Sequence, residues 1–267
     1  MTTHTTPVPL TDQVTLADAF RAEWVKFRTL PWSRYALLST VVLGLGMAVL
    51  YTASVGEGYK ELTAHEQAEF DPTQVALLGA TMFAHLVIGV IGALVAAGEY
   101  ATGMISTSLT VMPRRTRLFT AKAVLTGTVA LALGLVIALP AFLLGQFVLT
   151  KLRVPHATLE HPHVLRALLG AGLYFALVGL LGLALGFLVR STTAAVILLI
   201  ATTLIVPYFL GPFLPAVVRM SWPTVAGTNI LVGSTGGLAP WAGLGVMAAE
   251  VAAALAAAFT LFRHRDV

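Results

Sequence analysis

The chain has 267 residues, of which 16 are Lys or Arg and 12 are Asp or Glu, so charged residues make up only 10% of it. An average soluble domain has about 25%. Apolar residues make up 57%, and the mean hydropathy is +0.87. A soluble protein of this length still exposes roughly a quarter of its unfolded surface, which is too much to keep such a composition in water. The composition therefore favours an integral membrane protein and excludes a disordered chain.

Nucleic-acid binding, cysteine-based sites and a histidine metal site are disfavoured as well. The net charge of +4 is better explained by the cytoplasmic loops of a membrane protein than by phosphate contacts, so no nucleic-acid partner is expected. The chain has no cysteine, which excludes disulfides, thiolate nucleophiles and Cys-ligated metals. The outer histidines His156, His161 and His163 do not match a recognised metal-site spacing, and no metal site is predicted.

Charged residues divide the chain into long uncharged stretches. Twenty-two uncharged residues separate Arg34 from Glu57, and 27 separate Asp71 from Glu99. Because about 20 apolar residues cross a bilayer core of roughly 30 Å, the pattern predicts an all-α membrane protein with six transmembrane helices. The predicted spans lie near residues 36–55, 74–97, 122–149, 165–189, 192–214 and 240–262.

The loop charges predict the orientation of these spans. With a cytoplasmic N-terminus, the inner segments hold 11 Lys and Arg residues and the outer segments hold five, as the positive-inside rule requires. Both termini are therefore expected in the cytoplasm. No apolar core of a cleavable signal peptide lies in the first twenty residues. Residues 1–11 are expected to form a flexible tail, and residues 12–267 a single six-span domain.

An amphipathic helix is predicted over residues 14–30, before the first span. Thr15 and Asp18 match the capping-box pattern, and Pro31 ends the helix. Its apolar residues recur on one face: Leu16, Phe20, Trp24 and Phe27. Such a helix is either a simple anchor in the membrane interface or an elbow helix that packs against the bundle and braces it.

The inner loop 98–121 combines a predicted short helix, from Ala101 to Met112, with a basic cluster. Pro113 ends that helix, and Arg114, Arg115 and Arg117 follow. The arginines are partly explained as a topology signal. A loop with only that role would not need the preceding helix of mixed polarity, so a docking surface for a cytoplasmic partner is the favoured interpretation.

Other features concern the packing of the spans. Two rows of small residues, Gly182 with Gly186 and Ala249 with Ala253 and Ala257, favour close contacts between helices of this chain. Pro207 is expected to kink the fifth span. The segment 215–239 is too apolar for an ordinary loop and too rich in Gly and Pro for a span. It is predicted to form a pair of short or partly re-entrant segments on the outer side.

Two ionisable residues are predicted at membrane depth, His85 in the second span and Glu250 in the sixth. Such residues are functional candidates, although a structural hydrogen bond within the bundle explains them as well. The chain has no phosphate-binding loop of the G-x-x-x-x-G-K-[ST] type and no zinc-protease or serine-hydrolase motif. It is therefore not expected to be an enzyme by itself.

Three segments resemble one family of transport proteins. EWVKFRT at 23–29 resembles the E-W-x-K-x-R-T motif of permeases of type-2 ATP-binding-cassette (ABC) transporters. GEYATGMISTSLTVMPRRTRLFTAK is similar to the inner loop of that family, and FTLFRHRDV to its F-x-R-R-D ending, with His264 in place of the second arginine. The combination most resembles actinobacterial members, and it covers the whole chain.

This resemblance implies partners and residue roles. Two permeases, identical or related, would pair and bind two copies of a cytoplasmic ABC ATPase, which binds ATP and Mg while this chain holds no cofactor. Export is the default direction in the family. The elbow helix would carry Glu23, Trp24, Lys26 and Arg28. The ATPase-coupling residues would be Glu99, Tyr100, Gly103, Met104, Ser108 and Leu109, followed by the basic anchor Arg114, Arg115 and Arg117 near the lipid surface.

The main alternative is a proton-coupled secondary transporter that uses Glu250 and His85 as a relay. It would transport without an ATPase, and such transporters usually contain an inverted repeat, which is not evident in this sequence.

Overall fold

The computed structural model describes residues 15–232 and 238–265. Regular structure in these residues is helical throughout. The α-helices are α1 Leu16–Thr29, α2 Pro31–Gly58, α3 Ala64–Ala68, α4 Pro72–Ala101, α5 Met104–Val111, α6 Arg115–Leu152, α7 Val164–Val189, α8 Thr192–Ile200, α9 Ala216–Ser221, α10 Pro223–Thr228 and α11 Pro240–His264. The predicted tail 1–11 lies outside the described residues.

The prediction of an all-α protein with six long apolar helices is confirmed. The candidate membrane-spanning helices are Pro31–Glu61, Pro72–Ala101, Arg115–Leu152, Val164–Val189, Thr192–Phe213 and Pro240–His264. α6 has 38 residues and is therefore about 57 Å long at 1.5 Å per residue. Because the bilayer core is only about 30 Å thick, part of α6 extends beyond it.

α4 and α7 form the centre of the bundle and touch through glycines. A Cβ atom on Gly92 of α4 would lie 2.0 Å from the carbonyl oxygen of Gly179, and one on Gly182 of α7 would lie 2.0 Å from that of Gly89. Gly186 faces α4 in the same way, so the predicted packing role of Gly182 and Gly186 is confirmed. The expectation for the alanine row of α11 was wrong, since these three residues are exposed: Ala249, Ala253 and Ala257. α11 packs instead through Met247, Val251 and Phe262.

The fifth candidate span changes its hydrogen-bond pattern halfway. α8 continues as a π-helix over Ala201–Leu210, which contains Pro207. In a π-helix each N–H bonds the carbonyl five residues earlier, so Pro207, which has no N–H, leaves the Thr202 carbonyl without its helical donor. The indole N–H of Trp222 donates to that carbonyl at 2.7 Å. The sequence predicted a kink at Pro207 and did not predict this hydrogen bond.

The segment 215–239 contains two short helices, α9 and α10, and a 3-10 turn Asn229–Leu231. The turn places Ile230 and Leu231 in a buried cluster with α7 and α11. A Cβ atom on Gly170 of α7 would lie 2.3 Å from Ile230, and one on Gly243 of α11 would lie 2.3 Å from the Ala226 carbonyl oxygen. These contacts hold the segment against the bundle. Residues 233–237 of the predicted segment lie outside the described residues.

Candidate functional site

Four charged side chains from three helices meet at the end of the bundle that carries α5. Lys122 of α6 donates to Glu23 Oε2 of α1 at 2.7 Å and to Glu99 Oε1 of α4 at 2.8 Å. Lys26 of α1 donates to Glu23 Oε1 at 2.5 Å and to Glu99 Oε1 at 2.7 Å. We call these four residues the charge cluster: Glu23, Lys26, Glu99 and Lys122.

The charge cluster is buried and electrically balanced. Lys122 is 1% exposed and Glu23 is 2% exposed, a position that ionised side chains occupy only when they are paired. Each ammonium has three acceptors, since Lys122 also donates to the Val95 carbonyl at 3.1 Å and Lys26 to Ser108 Oγ at 3.2 Å. Burial by itself lowers the pKa of Lys26, but its hydrogen bonds with Glu23 and Glu99 outweigh this effect and raise the pKa above its usual value. Both lysines therefore fill their hydrogen-bonding capacity.

The structure corrects part of the predicted face of α1. Phe27 is buried and Phe20 packs against the same apolar cluster, as expected. The residues that α1 buries are Ala19, Glu23 and Phe27, spaced four apart, whereas Leu16 and Trp24 of the predicted apolar face are 44% and 41% exposed. The helix is rotated because Glu23 turns inward to meet Lys122. The predicted capping box is present, with Thr15 and Asp18 hydrogen-bonded in both directions. α1 packs against α6 and α2, as expected for an elbow helix that braces the bundle, and Arg28 on its opposite side is exposed.

The predicted coupling loop begins with a sharp change of chain direction. α4 ends at Ala101, and α5 starts three residues later, so the predicted continuous helix from Ala101 to Met112 is interrupted. Gly103 sits at the interruption with φ +71°, in the left-handed region, which glycine adopts without the steric cost of a side chain. α5 then runs to Val111, and Pro113 precedes the start of α6.

α5 presents two different faces. Its inner face buries Ile105 and Ser108, and Ser108 accepts the hydrogen bond from Lys26. Its outer face exposes Met104 and Val111, which are 46% and 65% exposed, together with Ser106, Thr107 and Thr110. Of the predicted coupling residues, Met104 and Gly103 are exposed, whereas Glu99 and Ser108 point into the protein.

Tyr100 and Leu109 also pack within the chain. The guanidinium of Arg190, in the turn between α7 and α8, lies 5.1 Å from the centre of the Tyr100 ring, and that ring meets Phe187 edge-on. Leu109 packs against the buried apolar cluster to which Ile105 belongs. These contacts connect the end of α4 and the inner face of α5 to α7.

The basic cluster at the start of α6 has a structural contact that the sequence did not predict. Arg115 Nη1 donates to the carbonyl oxygens of Phe262 at 2.6 Å, Arg263 at 3.2 Å and Arg265 at 2.7 Å. It thereby caps the C-terminal end of α11, where helix carbonyls lack intrahelical donors. Arg114 is the exposed N-cap of α6, and Arg117 is half-buried in its first turn.

His85 and Glu250 lie apart from this end of the bundle. His85 is 4% exposed, its Nδ1 contacts the Thr81 carbonyl at 2.6 Å, and its ring meets that of Tyr174 edge-on. Glu250 of α11 is half-buried. Neither His85 Nε2 nor Glu250 Oε2 has a hydrogen-bond partner in the part of the chain that the structure describes. Within the same residues no ion pair joins the two side chains.

Lys122 and Arg190 are the site residues that sequence reasoning missed. The sequence analysis gave neither residue a role in a site. The available signal for Lys122 was its position on the same helix as an apolar span, together with two acidic residues, Glu23 and Glu99, in segments predicted to lie on the same side of the membrane.

A family comparison matches the region that builds this site. The family model described as ABC-2 family transporter protein matches residues 19–210, which include the charge cluster, α5, the first four candidate spans and most of the fifth. No curated protein matches the chain. The matched region covers more than half of the chain, and the residues that the structure describes form an all-helical bundle with six candidate membrane-spanning helices. The chain therefore belongs to the ABC-2 family of transporter proteins and is a multi-pass membrane protein, which in bacteria lies in the plasma membrane.

Proposed function

We propose that this chain is the permease subunit of an ATP-driven exporter. Two permeases, identical or related, form the translocation path, and two copies of a separate cytoplasmic ABC ATPase bind beneath them. ATP and Mg belong to the ATPase, and this chain supplies the membrane path. Both termini and the segment 98–121 face the cytoplasm in this arrangement.

The observation that carries the proposal is the two-faced helix α5. Its inner side is tied by Ser108 to Lys26, and through the charge cluster to α1, α4 and α6. Its outer side leaves Met104 and Val111 exposed on a short helix between two spans. A helix that transmits movement of an ATPase to the membrane helices needs both properties. Its exposed side chains must be able to contact the ATPase, and its buried side chains must hold it rigidly against the permease.

The docking residues proposed here differ from those expected from the resemblance. Met104 and Val111, seven positions apart, lie on the same side of a helix and provide the exposed apolar contacts. Glu99, Ser108 and Leu109 act behind the docking face, where they hold α5 in place. Arg115 contributes indirectly by fastening the end of α11 to the start of α6.

The test is a binding measurement with the ABC ATPase of the neighbouring reading frame. Met104→Ala with Val111→Ala should weaken the complex, because truncation of a buried interface anchor costs more than about 1–2 kcal/mol, a roughly five- to thirty-fold increase in Kd. The control is Leu159→Ala with Leu165→Ala, two exposed residues in the connection between α6 and α7 and in the first turn of α7. This pair should leave the affinity unchanged.

Transport separates the proposal from the proton-coupled alternative. The Met104/Val111 double variant should insert normally, keep its thermal stability and lose ATP-dependent transport. Transport by the permease without any ATPase would contradict the proposal. Full co-purification of the double variant with the ATPase would contradict the docking assignment.

A further inference from the structure

A groove runs along the surface of the bundle between the elbow helix α1 and the start of α6. It has a volume of about 450 Å³, which is within the range of roughly 300–1,000 Å³ typical of small-molecule sites. Its lining residues are Leu16, Ala17, Phe20, Arg21, Ala121 and Val124. Ala121 belongs to a buried apolar cluster against which Phe20 also packs. The groove thus combines an apolar wall with one charged side chain, that of Arg21.

The groove lies where the charged part of α6 gives way to its uncharged part. Arg115, Arg117 and Lys122 lie near the beginning of this helix, and no charged residue follows between Lys122 and Lys151. Val124 is near the start of the uncharged stretch and is 47% exposed, on a helix that is a candidate membrane span. The groove is therefore at the level where the hydrocarbon of a bilayer meets the lipid head groups.

The exposed side of the chain near the groove is positively charged. Arg21, Arg28 and Arg34 are exposed, and Asp18 is the only exposed acid of residues 15–35. The other charged residues of this segment belong to the charge cluster, which is neutral as a whole. Three exposed arginines against one aspartate give a net charge of +2, and a surface of this sign attracts anionic lipids.

Arg21 is the basic residue that reaches the groove, and its guanidinium is accessible to a ligand. Its side chain is 81% exposed, and 4.0 Å separate its Nη1 from Asp18 Oδ1, which is longer than a hydrogen bond. Asp18 Oδ2 accepts instead from Thr15, within the capping box. A guanidinium offers a planar set of N–H donors that matches the oxygens of a phosphate. Arg21 can therefore bind a phosphate at the edge of the groove without breaking a short contact with Asp18.

We infer that this groove binds an anionic phospholipid of the membrane, with one acyl chain against Leu16, Phe20 and Val124 and its phosphate on Arg21. A lipid in this position holds α1 against α6 from the outside. The ion pair of Glu23 with Lys122 joins the same two helices from the inside. Binding of the lipid requires neither the ATPase nor transport.

Two pairs of variants separate the head group from the acyl chain. Arg21→Gln removes the charge at the groove, and its control Arg28→Gln removes an equal charge from an exposed position of α1 that does not line the groove. Ala17→Trp fills the groove, and its control Ala22→Trp places the same ring at an exposed position of α1 outside it. All four positions are exposed, so the fold should tolerate each change.

The experiment is photo-labelling of the full-length chain in phosphatidylcholine nanodiscs, followed by peptide mapping. The probes are trace amounts of phosphatidylglycerol and of phosphatidylcholine, each with the same diazirine-bearing acyl chain. Peptides that contain residues 16–21 or 121–124 should be labelled about five-fold more by the phosphatidylglycerol probe, since one basic residue near an anionic lipid surface contributes about 1 kcal/mol.

The variants should change this labelling in different ways. Arg21→Gln should bring the two probes to equal labelling at these peptides, whereas Arg28→Gln should keep the preference for phosphatidylglycerol. Ala17→Trp should reduce labelling by both probes, and Ala22→Trp should leave it unchanged.

Three results would overturn the inference. Equal labelling of the parent protein by the two probes would show that the groove selects no anionic head group. An equal loss of preference in Arg21→Gln and Arg28→Gln would show that the charge of the whole helix attracts lipid, without a site at the groove. Undiminished labelling of Ala17→Trp at the same peptides would place the lipid elsewhere.

Discussion

The ammonium group of Lys122 lies 2.7 Å from the carboxylate of Glu23, although 99 residues separate them in the chain. This ion pair fastens the elbow helix α1 to the start of α6, and Glu99 joins the end of α4 to the same lysine. Three helices that lead into the membrane are thus held at one buried point. Movement of α5 reaches that point through Ser108 and Lys26.

Removal of Lys122 should destabilise the permease more than removal of any exposed charge. Lys122→Met keeps most of the side-chain volume but leaves two buried carboxylates with a single ammonium group, that of Lys26. Breaking one member of a buried ionic group costs about 3–5 kcal/mol. We expect a clear fall in the unfolding temperature of the detergent-purified protein. Glu61→Gln, an exposed acid just after α2, is the control and should be silent.

The double variant Glu23→Gln with Lys122→Met tests whether these charges act as a unit. Because the two residues share a network, its loss of stability should be smaller than the sum of the two single losses, by about 0.5–3 kcal/mol. Simple additivity, or a stable Lys122→Met protein, would show that the cluster does not brace these helices.

Gly103→Ala should disturb the start of α5 without affecting packing. A Cβ atom there meets nothing within 4 Å, so the cost comes from the backbone alone, at φ +71°. A left-handed conformation costs an ordinary residue about 1–2 kcal/mol. We expect weaker ATP-driven transport, with normal membrane insertion of the variant. Gly127→Ala, in α6 and with only ordinary contacts to Leu180, should transport like the parent protein. Equal transport by both variants would contradict a required turn at Gly103.

More of the bundle than of the candidate site could be predicted from the sequence, for a physical reason. The six spans follow from hydropathy, because a bilayer imposes its thickness on every helix that crosses it. The packing role of Gly182 and Gly186 could also be predicted from the sequence, since small residues at that spacing permit close contact between helices. Both features depend on residues that are near one another in the sequence.

The charge cluster depends instead on residues that are distant in sequence. Glu23 and Lys26 are three positions apart on α1, and nothing local indicates that the helix turns them toward Lys122 rather than toward water. The predicted face, which placed Leu16 and Trp24 inside together with Phe27, favoured a different rotation of the helix. Pairing of buried charges overrode hydrophobic periodicity here, because an unpaired Lys122 inside the bundle would cost more than the exposure of two apolar side chains.

Arg115→Gln should loosen the end of α11. The arginine supplies donors to three carbonyls at that end, and glutamine is too short to reproduce them. Amide exchange of residues 258–264 should therefore become faster, and trypsin should cleave at Arg263 more readily. Arg28→Gln, on the exposed side of α1, should change neither. If Arg115 acted only as a lipid anchor, its loss would alter membrane orientation and leave the exchange of α11 unchanged.

Glu250→Gln tests the proton-relay alternative. Glutamine keeps the size and the hydrogen-bonding end of the side chain but cannot carry a proton on and off. In an ATP-driven permease the substitution should retain most of the transport activity at normal expression, and His85→Gln should behave in the same way. Transport below a tenth of the parent rate in either variant, with the ATPase complex intact, would favour the relay.

The hydrogen bond between Trp222 and the Thr202 carbonyl gives the last prediction. Trp222→Phe keeps an aromatic ring but removes the donor, so the carbonyl exposed by Pro207 loses its partner. A fully buried acceptor left unsatisfied costs about 1–3 kcal/mol, and since this one is partly buried the unfolding temperature should fall by less than that cost implies. Trp241→Phe is the control, because Trp241 is 59% exposed and its ring should tolerate the change.

Pro207→Ala makes this test specific to the π-helix. Alanine restores a backbone N–H at position 207, which can donate to Thr202 if the π-helix persists or to Thr203 if the segment becomes an ordinary α-helix. In the second case the N–H of residue 206 donates to Thr202, since α-helical bonds span four residues. The Thr202 carbonyl thus regains a helical donor in both cases. Trp222→Phe should therefore cost less stability in the Pro207→Ala background than in the parent. An equal cost in both backgrounds would show that Trp222 stabilises the segment 215–232 by packing, and that its indole N–H does not replace the donor missing from proline.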